Sequence, residues 1–434
     1  MKIQQICFGN GYKKESNCYW RRIRWRSVIK KVDETLFDVL LIDKINHHQF
    51  QPLFYQVATS QLEPSSISFP FRNIFKYKKN IQIRLSEVLI IDSENNKIET
   101  TIGNFNYDFL VIAIGCKTNF FGNEEISKNA LTLKTTYDAI HIRNHILQTF
   151  ENIISAKENE REGLLNFSIV GAGPTGVELA GAFAEIKNNI LPKDYPGIDF
   201  TQFKINLIEG SKDTLNSMSL SAKKTSRKYL QKMGVNIITE TFVNKYDGNV
   251  LTLSNGNIIK SKTVIWAAGV IGNTIKGLPG HSYTVGNRIK VNRTNLVEGT
   301  QNIFAIGDIA LMKTPNYPNG HPQLANVAIN QAKNLALNFK KNIKKIQPNE
   351  FEYIDLGSMA TIGRNKAVVD LPYFNFKGYF AWLIWMFLHL MLILSVRNKL
   401  IIFINWAMAY MTKDTSLRLI LKQNKNNEIK NDPT

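Results

Sequence analysis

The sequence predicts an α/β protein built on parallel sheets. Three observations carry this reading: short apolar runs that close on an acid or a glycine, helical patterns between them, and one glycine turn joining a strand to a helix. Residues 36–43 (LFDVLLID) form a buried-strand pattern ending at Asp43, and 108–115 (DFLVIAIG) form another ending at Gly115. Residues 165–170 run as a strand into Gly171, and 176–186 continue as a helix. KINLIE at 204–209 ends in Glu209, TVIWAAG at 263–269 in Gly269, and NIFAIGD at 302–308 in Asp308. No repeat of about 20–50 residues is present.

The chain has 434 residues, enough for two or three domains with sizeable cores. Its formal net charge of +19 suits an anionic partner: nucleic acid, a phosphate-rich cofactor or an acidic membrane surface. A lysine- and asparagine-rich composition throughout offers a blander origin for the excess. Cys7, Cys18 and Cys116 form no CxxC pair, which argues against a disulfide framework and a zinc site. No signal peptide is visible, so the chain reads as intracellular.

Gly171, Gly173 and Gly176 stand as GxGxxG after a strand and at the start of a helix. The first glycine permits the tight turn, the second lets backbone approach a pyrophosphate, and the third lets helix and strand pack closely. The helix N-terminus then offers free N–H groups and positive dipole to phosphates. Glu209 ends the next strand, where a carboxylate accepts hydrogen bonds from an adenosine ribose and repels a 2′-phosphate. That predicts NADH rather than NADPH. The loop NILPKDYPGID accounts for a spacing longer than about 20 residues.

After Asp370 the character changes. Residues 378–396 are 19 residues without charge, at the ~20-residue threshold for a spanning helix. A second apolar stretch runs from Leu400 to Met411, and the polar tail from Lys422 to Thr434 is expected to fray. Trp382, Trp385 and Trp406 suit a membrane interface, and Arg397, Lys399 and Arg418 suit anionic headgroups. One spanning helix, surface attachment through amphipathic helices, and a buried dimer interface are all open on these residues; surface attachment is favoured.

The AIG at 113–115 and the strand ending at Asp308 occur together in flavoproteins with two dinucleotide-binding domains, which the chain resembles over nearly its whole length. The resemblance implies two Rossmann-like domains of the glutathione-reductase type and a C-terminal helical membrane-binding segment. Residues 1–117 and 290–370 would form the FAD-binding domain, 118–289 the NADH-binding domain, and 371–434 the anchoring helices. It also implies an N-terminal GxGxxG followed by an acid. Asp43 supplies the acid, but the fingerprint is absent.

A one-base shift in reading frame restores it. Residues 17–26 read NCYWRRIRWR. Tryptophan has a single codon, TGG, and one base later each TGG begins a glycine codon, so Trp20 and Trp25 become glycines. With permitted codons the segment reads KVIVIGGGFGG, a strand followed by GxGxxG, and the frame recovers near Ile29. As written, Trp and Arg side chains stand where backbone would touch pyrophosphate, and flavin affinity should suffer.

The specific resemblance is to the type II NADH:quinone oxidoreductases, or alternative NADH dehydrogenases. NHHQFQPLFYQVATSQLEP (46–64), GAGPTGVELAGAFAE (171–185), HPQLANVAINQAKNLALN (321–338) and RNKLIIFINWAMAYMTKDTSLRLI (397–420) are similar to that family's signatures. Relatives that reduce disulfides or oxidise sulfide use paired cysteines near the flavin, which Cys116 alone cannot supply. The resemblance implies FAD and NADH as cofactors, hydride transfer from NADH, then two electrons to a membrane quinone without proton pumping. It places FAD against Asp43, Gly115, Asp308, Gln323 and Ala325, and NADH against Gly171, Gly173, Gly176, Glu209 and Gly269. Glu178 would act near the nicotinamide, although a helix N-terminal acid has a purely structural use. Asn326 and Asn330, where the family has two glutamines, and Gln331 would face quinone. His47 and His48 read as core and loop residues. The expected partners are quinone, a bilayer surface and a second copy of the chain, but not nucleic acid. The expected location is the cytoplasmic face of the inner (cytoplasmic) membrane. Two readings stand beside this one: a soluble NADH-dependent ferredoxin- or rubredoxin-type reductase, against which the apolar C-terminus argues, and an inactive flavin-free product of the literal N-terminus.

Overall fold

The computed structural model describes residues 5–10, 34–414 and 417–420. The segment 17–26 and the tail 422–434 lie outside them. The chain divides into two units, Met1–Phe50 with Ser68–Asn119 and Gly269–Leu356, and Gln51–Ile67 with Phe120–Ala268 and Gly357–Thr434.

In the first unit the run VLLI at 39–42 is at most 1% exposed, the pattern of a strand covered on both faces. It belongs to a five-stranded sheet ordered Ile303–Ala305, Phe109–Ile112, Gln5–Asn10, Phe37–Asp43, Ile81–Leu85. The helix Ala325–Ile343 covers the sheet with Val327, Leu335, Ala336 and Phe339. The Phe339 ring meets Phe109 and Phe304 at 5.3 and 5.1 Å. Four strands point the same way, and Gln5–Asn10 runs antiparallel to both neighbours. The cause is the ladder: a central slot leaves two strand edges with unpaired N–H and C=O groups, and an extended segment can satisfy both in either direction. The direction matters for the site. Asn10 pairs with Phe37 and Gln5 with Ile42, so this strand ends at the edge opposite Asp43.

The second unit holds a fully parallel sheet ordered Leu131–Thr132, Thr263–Trp266, Asn166–Val170, Lys204–Ile208, Val235–Ile238. A short helix α1 (Phe54–Ala58) packs on α2 (Thr136–Ser155), whose start is fixed by a reciprocal Thr135–Asp138 capping box. From the central strand the chain enters α3 (Pro174–Asn189), and α4 (Leu220–Lys232) precedes the last parallel strand. An antiparallel sheet of Ser358–Gly363, Lys366–Asp370 and Asn375–Gly378 lies against α3. A Cβ on Gly181 would stand 1.8 Å from the Ile362 carbonyl oxygen, so only glycine allows this approach.

The apolar C-terminus forms two helices, α5 (Tyr379–Leu392) and α6 (Val396–Thr412), separated by Ile393–Ser395. Among the described residues no helix is long and apolar enough to cross a membrane. The expected alternative of one span at 378–396 is therefore replaced by a strand end, a 14-residue helix and a turn. The helices bury one narrow face, Ala381 and Trp385 from α5 and Asn398, Ile402 and Trp406 from α6. Phe380, Phe387, Leu392, Leu400, Phe403 and Met408 stay exposed. Trp385 and Trp406 thus correct the interface reading, because both are buried within the unit. Asn398 Nδ2 donates to the Ser65 and Ser66 carbonyls at 2.9 Å, pinning the start of α6.

Replacing Gly181 with Ala should force α3 off the Ser358–Gly363 strand and destabilise the chain by about 1–3 kcal/mol. Thermal denaturation checks this; an unchanged midpoint would show that the strand can retreat without cost.

Candidate functional site

The glycine turn begins where the buried strand Asn166–Val170 ends. Gly171 has φ +101°, and a Cβ there would lie 2.7 Å from the Ala268 backbone nitrogen. Gly176 is held by closeness, since its Cβ would sit 1.8 Å from the Gly171 carbonyl oxygen. Gly173, the N-cap of α3, has nothing within 4 Å of a Cβ position, so open space faces its backbone. Pro174 follows at the first helical position, where its missing N–H costs nothing. Glu209 faces this turn. One carboxylate oxygen accepts the Ala172 N–H at 2.6 Å, and the other accepts the Ser211 N–H and hydroxyl at 2.9 Å. Open backbone at a helix N-terminus, beside an oriented carboxylate, fits a pyrophosphate and its ribose.

The helix that starts at this turn also walls a cavity. Glu178 opens onto a space of about 630 Å³ lined in part by Tyr55, Gln56, Thr361, Trp385 and Trp406. Burial pushes its carboxyl up to about 8, even though the Thr361 backbone and the Trp385 indole hydrogen-bond it. It is therefore mostly neutral near pH 7 and able to donate a proton. Trp406 Nε1 donates to Gln56 Oε1 at 2.8 Å, and Gln56 Nε2 donates to the Tyr55 hydroxyl at 2.8 Å. The Trp385 ring stacks on His389 at 4.1 Å, and burial lowers that imidazole to about 4, so α5 carries no charge there at neutral pH.

In the first unit, Asp43, Gly115 and Asp308 all follow parallel strands at their carboxyl ends, the edge where such sheets take ligands. Asp43 is buried and its Oδ1 accepts the Ile45 N–H at 2.8 Å. Gly115 has φ +61° and open space at its Cβ position. Gln323 Nε2 reaches Cys116 Sγ at 2.8 Å and the Asp308 carbonyl at 3.1 Å. Gln331 is fully buried, and its Oε1 accepts the Gly307 N–H at 2.8 Å, so it braces the Asp308 turn.

Residues 27–332 match the pyridine nucleotide-disulphide oxidoreductase family, and 356–413 match the NDH2 C-terminal domain. The type II NADH:quinone oxidoreductase Ndh of Mycobacterium tuberculosis is 32% identical over 403 residues, covering 88% of this chain and 85% of that protein. This chain belongs to the type II NADH:quinone oxidoreductases. A Staphylococcus aureus type II NADH:quinone oxidoreductase is 27% identical over 340 residues, covering 76% of this chain and 82% of that one. Among solved structures, NDH2 from Plasmodium falciparum in complex with NADH shares the fold at a TM-score of 0.85 and 23% identity, covering 94% of this chain and all of that one.

The structure brings Gly171, Gly173, Gly176 and Glu209 together at one turn, with Glu178 on the helix that leaves it. Gly269 falls in the other unit, at φ +65°, where its carbonyl accepts the Asn119 N–H at 3.4 Å. Ala325 opens the helix Ala325–Ile343, and Asn326 and Asn330 lie partly exposed on it, on a different side from Gln331. Sequence reasoning passed over Tyr55 and Thr361 and read Trp385 as an interface residue. Tyr55 lies within one of the resembling segments, but nothing in local spacing links Thr361 or Trp385 to Glu178.

Gly176→Ala should weaken NADH binding about tenfold or more while the fold persists. Glu209→Ala should raise the NADH Michaelis constant and narrow the preference over NADPH. Calorimetric titration and paired kinetics check the two; retained affinity in Gly176→Ala would remove the close-approach argument.

Proposed function

We propose that this chain oxidises NADH and passes two electrons to a lipid-soluble quinone without moving protons across a membrane. The observation that carries the reading is the course of α3. Its N-terminus forms the nucleotide turn, and its cavity face shares a cavity with helices that also expose apolar residues. A nucleotide-type turn and an exposed apolar surface thus belong to one unit.

Asp43 and Asp308 fit the adenosine-ribose and ribityl hydroxyls of FAD, with Gly115, Gln323 and Ala325 as the other residues expected to hold it. When bound, the flavin supplies the hydride acceptor and a two-electron store. The glycine turn orients NADH, and Glu209 selects it over its 2′-phosphorylated form. Glu178, expected beside the nicotinamide, is read instead as holding a proton for the acceptor side, because it opens onto the cavity and burial keeps its carboxyl protonated. Asn326 and Asn330 offer amides to a quinone. The apolar faces of α5 and α6 lie along the bilayer surface rather than through it, with Arg397 and Lys399 toward anionic headgroups.

A second reading rests on the antiparallel strand Gln5–Asn10. Among the described residues it runs away from Asp43, with Asn10 paired to Phe37 at the opposite edge of the sheet. A chain folded this way would hold NADH and lose flavin. Flavin released on denaturing the purified protein separates the two readings, and resequencing the region of Trp20 and Arg21 tests the frame shift.

Membranes carrying the chain should oxidise NADH when a quinone is added, insensitive to complex I inhibitors. Flavin-loaded protein that oxidises no NADH with quinone would sink the reading. Turnover should fall as pH rises through about 8, where Glu178 loses its proton, and Glu178→Gln should remove that limb. An unchanged pH profile in Glu178→Gln would exclude Glu178 as the donor.

A further inference from the structure

A second carboxylate opens on the same cavity. Glu185 follows Glu178 by seven residues, two turns of α3, so both project from one stripe. Ala182 stands between them and leaves the stripe open. Glu185 accepts the Arg364 N–H, and the Arg364 guanidinium donates to the Ala409 carbonyl near the end of α6 and lies 4.9 Å over the Tyr410 ring. Tyr55, buried on α1, is close enough to both carboxylates for their charges to add to burial in raising its hydroxyl well above 10. It therefore stays neutral while able to give one proton and take another. Burial also raises Glu185, against the opposing pull of Arg364 and Lys366.

We propose that Glu185 is a positioning residue that passes protons from water in the cavity to Glu178 across the Tyr55 hydroxyl. The inference rests on the NADH:quinone reading. That reaction needs it by stoichiometry: NADH brings two electrons and one proton, and reduction of quinone to quinol takes two of each. One proton per turnover comes from the medium. In the relay, the Glu185 carboxyl releases its proton to the Tyr55 oxygen, directly or through cavity water. Tyr55 releases its own to the Glu178 carboxylate, and cavity water reprotonates Glu185. The cavity volume is ample for such water beside a ring-sized acceptor.

The charged and titratable groups facing this path come from every wall. Tyr55 stands on α1, Glu178 on α3 and Tyr229 on α4; Arg364 and Lys366 come from the antiparallel sheet. Tyr410, Lys413 and Asp414 close the α6 end. The cations flank Glu185, not Glu178, so Glu185 more readily gives up and regains a proton than Glu178.

The test uses the full chain, flavin-loaded, in phospholipid vesicles, with a short-chain ubiquinone analogue and with ferricyanide, which accepts electrons without protons. Glu185→Gln keeps the oxygen that accepts the Arg364 N–H and so preserves the packing. It should lower quinone kcat about tenfold at unchanged quinone KM and enlarge the solvent deuterium isotope effect, with ferricyanide turnover reduced far less. Glu185→Asp should recover part of the loss, and Tyr55→Phe should reproduce it. Equal losses with both acceptors in Glu185→Gln, or an unchanged isotope effect and pH profile, overturn the relay. If the unaltered chain reduces ferricyanide but no quinone, the reading beneath the relay falls, and the relay with it.

Discussion

Two glycines on α3 set the geometry on which the rest of the second unit depends. At Gly176 the helix lies against the carbonyl of Gly171, and at Gly181 against that of Ile362. At both places a methyl group would sit inside van der Waals distance of backbone oxygen. The first approach shapes the nucleotide turn. The second brings the antiparallel sheet against the opposite side of the helix, and with it the segment that leads into α5 and α6. Because the helix is held at both points, Glu178 and Glu185 are carried to fixed heights on the cavity wall. The close approach is the constraint, and the site chemistry is its consequence.

Much of the second unit was legible in the chain because its signals are local. A strand, three glycines and a helix occupy consecutive positions, and the backbone needs each glycine for a reason readable from spacing alone. Glu209 was equally visible as the end of the next strand. The cavity was not legible in the same way. Its members come from α1, α3, α4, the antiparallel sheet, α5 and α6, separated by up to several hundred positions, and only tertiary packing brings them together. The tryptophans show how composition misleads. Trp385 and Trp406 look like interface anchors in an apolar segment, yet their indole N–H groups find buried acceptors in Glu178 and Gln56, and that hydrogen bonding draws them inward. Gln331 follows the same logic, since a buried amide goes to the turn it can satisfy.

The first unit shows the limit of pattern reading in another form. Asp43, Gly115 and Asp308 identify the ligand edge because strand direction is inherited from apolar runs that pair in parallel. The central position of that sheet is a pair of open ladders, and hydrogen bonding alone does not choose the direction of the strand that fills it. Gln5–Asn10 satisfies both ladders while running opposite to its neighbours, so its last residue lies at the edge away from Asp43.

The cavity joins two demands that usually oppose one another. Helices with exposed apolar faces suit a lipid surface and an apolar acceptor, and a wall of this kind disfavours charge. Placing carboxyls in it raises their affinity for protons instead of ionising them. The folded chain then binds a proton at Glu178 that the unfolded chain would release above about 4.5. That contribution to stability is complete below the unfolded value and is lost as pH rises through about 8. The loss begins above about 4.5 and is complete above about 8, so part of the stability is already given up at neutral pH to keep the donor loaded. At neutral pH the same burial keeps Glu178 loaded, so apolar walls that exclude charge also make the carboxyl a donor.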